Sequence, residues 1–183
     1  MAKSDEDEAR FERLYREHAA AVFAYALRRS SSPDDAADAA AETFAVAWRR
    51  LNDVAEGQAL PWLYAIARRV LSTQRRSSKR QEAVAARVAL ERDRPVPDSA
   101  SAPPVVQALA ELPEEVREIL MLTAWEGLSS REAAAVLGCS PTAYRIRLHR
   151  ARGRLRRALA RLETASPLKT HPPRPSVKEN SSC

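Results

Sequence analysis

The sequence predicts an all-α protein: two small helical domains joined by a proline-rich linker, the second a helix-turn-helix, with a disordered C-terminal tail. Three observations carry that prediction. The 183 residues are 45% hydrophobic but only 5% aromatic, so a core has to come from Ala, Leu and Val on closely packed helices. Those apolar residues recur at i, i+3 and i+4 spacing, the period of a helix buried along one face. Only 4 glycines are present, too few for the tight turns of a hairpin-rich β fold.

From Ala9 to Arg29, the residues Phe11, Leu14, Tyr15, His18 and Val22 form one inward stripe. The stretch SSSPDD, Ser30 to Asp35, stops this helix and caps the next. That second helix runs to about Leu51 and buries Ala37, Ala40, Phe44, Ala47, Trp48 and Leu51. NDVAEGQAL, residues 52–60, is a loop, after which Pro61 suits the first position of a third helix. Trp62, Leu63, Ile66 and Val70 face inward there, and helix is expected as far as about Arg92, which bounds a first domain at 1–92. Between 93 and 104 stand Pro95, Pro97, Pro103 and Pro104, whose fixed φ and missing N–H exclude regular helix and predict a flexible tether. The second domain, 105–163, opens with VVQALAEL. Pro113 begins its next helix, with Glu114 and Glu115 complementing the helix dipole and Gly127 as the C-cap. The polar, proline-rich residues 164–183 are expected to be disordered.

The next stretch is more specific. Ser129 or Ser130 caps the short helix SREAAAVL, and Glu132 completes a capping box if the cap is Ser129. Gly138 makes a tight turn, Ser140 and Pro141 start another helix, and Ala133 and Ala134 let the two helices cross closely. This is a helix-turn-helix, whose second helix enters the major groove of DNA. Tyr144, Leu148, Ala151 and Leu155 form its inward stripe. Thr142, Arg145, Ile146 and His149, in its first turns, are the candidates for reading base edges. Arg147, Arg150, Arg152, Arg156 and Arg157 suit clamping of phosphates. A merely solvated arginine face is the competing reading, disfavoured because like charges without interspersed acids repel.

A second basic element lies upstream. Arg68, Arg69, Arg75, Arg76, Lys79 and Arg80 surround the short polar residues Ser72, Thr73 and Gln74, with Trp62 and Tyr64 just before them. Arginines beside aromatic rings suit a single strand, whose bases stack while its backbone follows the positive charge. For Trp62 a core role competes, since it shares a face with Ile66. The formal net charge of +6 conceals an alternation in which residues 1–60 are acidic, 61–94 basic, 95–140 acidic and 141–183 basic. Charge segregated in this way points to two kinds of partner, one of them a phosphate backbone.

Several function classes are disfavoured. No HExxH, glycine-rich phosphate loop or Cys/His cluster is present, so neither an enzyme nor a metal or other cofactor is expected. Cys139 and Cys183 read as reduced thiols outside any disulfide framework. No apolar run approaches the roughly 18 residues of a membrane span, and MAKSDEDEARF is acidic where a signal peptide is basic and then apolar. A soluble cytoplasmic protein with no membrane partner is expected.

A helix-turn-helix leaves the first basic block and its acidic neighbour unexplained. Over about residues 10–80 and 105–160 the chain resembles the extracytoplasmic-function (ECF) group of sigma factors, the two-domain promoter-recognition subunits of bacterial RNA polymerase. DDAADAAAETFAVAW resembles the family's acidic polymerase-docking helix, and LPWLYAIARRVLSTQRR its −10-reading helix. Residues from LAELPEEV to RLRRAL resemble its −35-reading module. The resemblance implies that Asp35, Asp38 and Glu42 face core RNA polymerase. It implies that Arg68, Arg69, Ser72, Thr73, Arg75 and Arg76 lie on the −10 helix, against the melted non-template strand of promoter DNA. It also implies that Thr142, Arg145, Ile146, Arg147, His149 and Arg150 lie against the −35 duplex, and that the loop NDVAEGQAL helps capture a flipped base. An anti-sigma factor is a further partner implied by the family. Arg69, Thr73 and Tyr144 depart from the family's usual residues, and the loop after Leu51 lacks its frequent aromatic. The competing readings are a stand-alone dimeric helix-turn-helix regulator, an anti-sigma-like interaction protein and an RNA-binding adaptor.

Overall fold

The structure, a computed structural model, describes residues 4–55, 57–88 and 103–165. Among these it is all-α, with seven α-helices in two groups. The first group holds α1 (Asp5–Leu27), α2 (Pro33–Arg49), a short 3₁₀ turn (Leu51–Asp53) and α3 (Ala59–Val88). The second holds α4 (Pro104–Glu111), α5 (Glu114–Ala124), α6 (Ser130–Leu137) and α7 (Pro141–Ala165).

Local chemistry explains the boundaries. α1 begins before the expected Ala9 because Ser4 caps it: Asp7 N–H donates to Ser4 Oγ at 3.3 Å, and Ser4 N–H donates to the Asp7 carboxylate at 3.4 Å. Asp5, Glu6, Asp7 and Glu8 sit in that first turn, where the positive end of the helix dipole favours them. At the start of α2, Asp35 N–H donates to Ser32 Oγ at 3.1 Å. α5 ends at Ala124, capped by Trp125 rather than Gly127. Gly127 instead takes φ +66° in the following turn, in which Leu128 N–H reaches Leu122 C=O at 3.1 Å. α7 continues through Ala165, beyond the expected end at 163. Most of the expected linker and the tail from 166 onward lie outside the described residues.

The buried face of α2 is turned from the one expected. Ala36, Ala39, Thr43, Phe44 and Ala47 are buried, whereas Ala37 is exposed and Ala40 and Trp48 are only partly covered. Ala36 and Ala39 belong to the core that contains Tyr25 and Ala26, so helix packing sets the face. Thr43, buried with them, satisfies its hydroxyl by donating to Ala39 C=O at 2.6 Å. Tyr15, expected inward, is exposed, and Tyr64, expected beside a nucleic acid strand, is buried.

Two hydrophobic cores result. One lies within the first group and is built from Leu14, Val22, Phe44, Ala47, Leu51, Leu63 and Ile66. The other is shared: Tyr25, Tyr64, Ala67 and Leu71 join Val116, Ile119, Ala133, Ala134 and Tyr144, and α3 packs on α6. At the edge of this shared core lies a buried polar network. Arg29, its side chain 4% exposed, donates from Nε to Glu118 Oε2 at 2.7 Å and from Nη1 to Glu126 Oε1 at 2.8 Å. Its guanidinium lies 3.6 Å from the centroid of the Tyr25 ring. Tyr25 OH donates to Glu118 Oε1 at 2.7 Å, and Arg28 Nε donates to Glu126 Oε1 at 3.3 Å. Tyr25 stacks on Tyr64 with ring centroids 4.6 Å apart.

Burial pushes both phenols up, and the nearby carboxylates add to it: Tyr25, beside Glu118, lies well above the usual tyrosine range, and Tyr64, beside Glu126, rises to about 12. A raised folded-state value means that this stabilisation is whole below the unfolded tyrosine range near 10 and is lost as pH rises through the folded value. Replacing Tyr64 with Phe therefore removes a tyrosinate absorbance step at about pH 12. A missing step near the ordinary tyrosine value of 10 contradicts this burial. At the helix-turn-helix, Gly138 has φ +65°, and an added Cβ there meets no atom within 4 Å, so the backbone conformation alone demands glycine. Gly138→Ala is expected to cost about 1–2 kcal/mol in chemical denaturation, and Gly138→Asn less. Equal stability for all three proteins contradicts it.

Candidate nucleic-acid interface and acidic docking face

The helix-turn-helix is built as its local sequence dictates. Ser129 is the cap of α6: Glu132 N–H donates to Ser129 Oγ at 3.3 Å, and Ser129 N–H donates to the Glu132 carboxylate at 2.8 Å. These hydrogen bonds hold the Glu132 carboxyl below its usual range. Ser140 Oγ accepts from Ala143 N–H at 3.2 Å and starts α7. Tyr144 then anchors α7. Fully buried, it donates its hydroxyl to Ile119 C=O at 2.9 Å and accepts from Thr123 Oγ1 at 2.7 Å. Burial raises its pKa. Tyr144 thus adds a polar tie to α5 to its apolar packing.

With Tyr144, Leu148, Ala151 and Ala158 buried, the opposite side of α7 is open. Thr142, Arg145, Ile146, Arg147, His149 and Arg150 are all exposed, Ile146 at 49% despite its apolar side chain. Arg145 Nη2 donates to Thr142 Oγ1 at 3.3 Å, which links two of the candidate base-reading residues one turn apart. Arg152, Arg156 and Arg157 continue the exposed positive face. Arg161 pairs back to Glu111 of α4 at 3.1 Å.

On α3 the six expected residues do not share one face. Arg69, Thr73 and Arg76, spaced four and three apart, are exposed. Thr73 spends its hydroxyl on Arg69 C=O at 3.0 Å and Arg76 donates to Ser72 C=O at 3.2 Å, both within the helix. Arg68, Ser72 and Arg75, at the same spacing, are partly covered. Arg75 forms an ion pair with Glu114 of α5, and burial lowers its pKa. Arg68 lines a cleft of about 450 Å³ together with Arg147, Arg150 and Arg154 of α7. Trp62 is half-buried against the first core, as its competing assignment required.

Asp35, Asp38 and Glu42 are exposed along α2, with Glu42 3.9 Å from Arg49. Asp38 and Glu42 rim an open groove shared with Arg69, Thr73 and Gln74 of α3. Next to it lies a cluster of aromatic residues whose helical spacing predicts burial. Phe11, Tyr15, Phe44 and Trp48 interlock, with Tyr15 and Phe44 centroids 4.8 Å apart and Phe11 and Trp48 5.1 Å apart, yet Tyr15 is 51% exposed. Phe23 and Leu27 extend the apolar exposure along α1. Together these rings form an aromatic surface bordered by acids, the composition of a protein-binding patch. The available signal was width: Tyr15, Phe23 and Leu27 make a second apolar stripe on α1, more than one neighbouring helix can cover. The loop after α2 closes over α1 around a further cavity lined by Arg10, Arg13, His18, Val54, Ala55 and Gly57. Among the described residues no group of three potential metal ligands occurs, and no helix is long and apolar enough to cross a membrane.

Comparison with known proteins accounts for both groups. Residues 14–81 match the family model described as Sigma-70 region 2, and residues 104–155 the model described as Sigma-70, region 4. The ECF RNA polymerase sigma factor SigL of Mycobacterium tuberculosis is 31% identical over 157 residues, covering 81% of this chain and 88% of SigL. SigE of Mycolicibacterium smegmatis, also an ECF RNA polymerase sigma factor, is 34% identical over 159 residues, 82% of this chain, which spans only 62% of SigE. Among solved structures, the sigma factor RpoE of Bartonella quintana, in complex with the anti-sigma factor NepR, superposes with a TM-score of 0.64 at 28% identity. The match covers 82% of this chain and 96% of RpoE.

Proposed function

The chain belongs to the ECF family of RNA polymerase sigma factors, transcription-initiation subunits that direct core polymerase to promoters, and from that premise we propose which surface carries each task. The exposed side of α7 takes the −35 duplex. Thr142, Arg145, Ile146 and His149 read base edges from the first turns, and Arg147, Arg150, Arg152, Arg156 and Arg157 hold phosphates. The observation that carries this division is the complete burial of Tyr144, which fixes the rotation of α7 and leaves these side chains in solvent.

α3 takes the −10 element. Arg69, Thr73 and Arg76 are exposed for the melted non-template strand, and Arg68, Ser72 and Arg75 join them once their cover is removed. A base flipped from that strand fits beside the loop after α2, where a pocket offsets part of the unstacking cost. Asp35, Asp38 and Glu42 with the neighbouring aromatic surface dock core polymerase: the acids steer a basic partner and the rings supply buried area. The protein performs no covalent chemistry of its own and acts in the cytoplasm. Because RpoE was solved with its anti-sigma factor NepR, an anti-sigma partner is proposed here too. A stand-alone dimeric regulator is not favoured, because it leaves the region matched to Sigma-70 region 2 without a role.

Arg145→Ala is expected to relax base preference at one −35 position, whereas Arg156→Ala weakens binding alike on all promoters and reduces the salt slope by about one. Equal losses for both variants on every promoter sequence contradict the division into reading and clamping arginines. Asp38→Arg is expected to abolish core polymerase binding with an unchanged circular dichroism spectrum. Wild-type polymerase affinity in that variant removes α2 from the docking face.

A further inference from the structure

We propose that the aromatic groove between α1 and α2 is a polyproline site, and that residues 172–175 of this same chain, PPRP, are its occupant. The inference goes beyond the assignment of this face to core polymerase, and occupancy of the groove does not depend on that assignment.

The groove has the make-up that such a segment requires. Phe11 and Tyr15 of α1 and Phe44 and Trp48 of α2 line a space of about 510 Å³. Ala41 and Ala45 line it too, and their short side chains keep it open. The planes of Phe11 and Phe44, Phe11 and Trp48, and Tyr15 and Phe44 cross at 64–80°. The cluster therefore presents ridges and clefts rather than one flat face. Aromatic-lined grooves take proline-rich segments because proline is apolar and already held in an extended left-handed helix, so little conformational freedom is lost on docking.

The matching segment lies beyond α7, among residues 166–183, where Pro172, Pro173 and Pro175 surround Arg174 in a P-x-x-P pattern. With three residues per turn, Pro172 and Pro175 share one edge of a polyproline helix, about 9 Å apart. Both then enter one groove while Arg174 lies on another edge. A segment tethered to its own site meets it at an effective concentration on the order of millimolar, so a weak contact is populated.

Charge selects the same occupant. Glu8 lines the aromatic groove, and Asp38 and Glu42 line the groove beside it, which shares Ala41 and Ala45. Among the described residues no Lys or Arg lines the aromatic groove. Residues 166–183 carry Lys169, Arg174 and Lys178 against Glu179 alone. The chain's other proline cluster, Pro95, Pro97, Pro103 and Pro104, lacks the P-x-x-P spacing, and Asp98 is the only charge within 95–104. The basic segment fits an acid-rimmed groove and the acidic one does not. Where core polymerase docks on this face, the bound segment excludes it and so limits entry into the polymerase complex.

The test uses the full chain, isotope-labelled for NMR, carrying Pro172→Ala, Pro173→Ala and Pro175→Ala together. The Trp48 indole N–H and Tyr15 amide signals are expected to move from their wild-type positions, with circular dichroism and the signals of α4 to α7 unchanged. Arg174→Glu, which keeps the prolines and reverses the charge, is expected to move the same signals. Both variants alter only residues beyond α7, so loss of a helix does not imitate this result. Core polymerase affinity is expected to rise roughly fivefold in the proline variant as the free fraction of the groove grows. Unmoved Trp48 and Tyr15 signals in either variant overturn the proposal. So does a difference from wild type that vanishes on dilution, which would place another copy's segment on the groove. Moved groove signals with unchanged polymerase affinity uphold the polyproline site and remove this face from the polymerase interface.

Discussion

The arrangement of the helices turns on one buried cation. Arg29 lies just beyond the end of α1, and its ion pairs with Glu118 of α5 and Glu126 of the turn after it tie the first helical group to the second. Transfer of these charges out of water is costly, and replacing a buried ion pair with apolar residues is often neutral or stabilising. The network therefore contributes mainly orientation. What holds the groups together in bulk is the shared core of Tyr64, Ala67, Leu71, Ile119, Ala133 and Ala134. Removing both carboxylates would leave Arg29 charged and unpaired, and breaking a buried pair typically costs about 3–5 kcal/mol. So a small chemical change at this point has a large effect on the relative position of the two groups.

Electrostatics at the surface follows the order of the helices. Acids cluster on α2 and α5, and arginines on α3 and α7, so each group carries one helix rich in each sign. On the first group the two signs meet at one groove, where Asp38 and Glu42 of α2 lie opposite Arg69 of α3. The same distribution also lets one group's acids answer the other's arginines when no partner is present.

The features most legible in the sequence were those encoded within a few residues. Ser129 with Glu132, Gly138, and Ser140 with Pro141 each specify a local backbone geometry, and the structure places them accordingly. The inward stripe of α7 was legible for the same reason: it is a single periodic pattern read against one neighbour. Tyr15, Tyr64 and the face of α2 were misplaced because an apolar stripe does not say which of its members a neighbour will cover. Ala36 and Ala39 are buried by tertiary packing, and no local rule prefers them to Ala37 and Ala40. The Arg29 network had no sequence signal at all, since its carboxylates lie 89 and 97 positions away and nothing local ties them to it. The pairing of Arg75 with Glu114 was hidden in the same way, 39 positions apart, inside a basic block that reads as uniform.

The central claim is that this chain confers promoter choice on core RNA polymerase. The most direct measurement is run-off transcription from a library of genomic promoters, using the purified chain with core polymerase. The account predicts a stable complex and transcripts from a discrete promoter class that share both a −35 and a −10 element. Failure to bind polymerase, together with tight duplex binding by the chain alone, would contradict it and leave the first three helices without their assigned role.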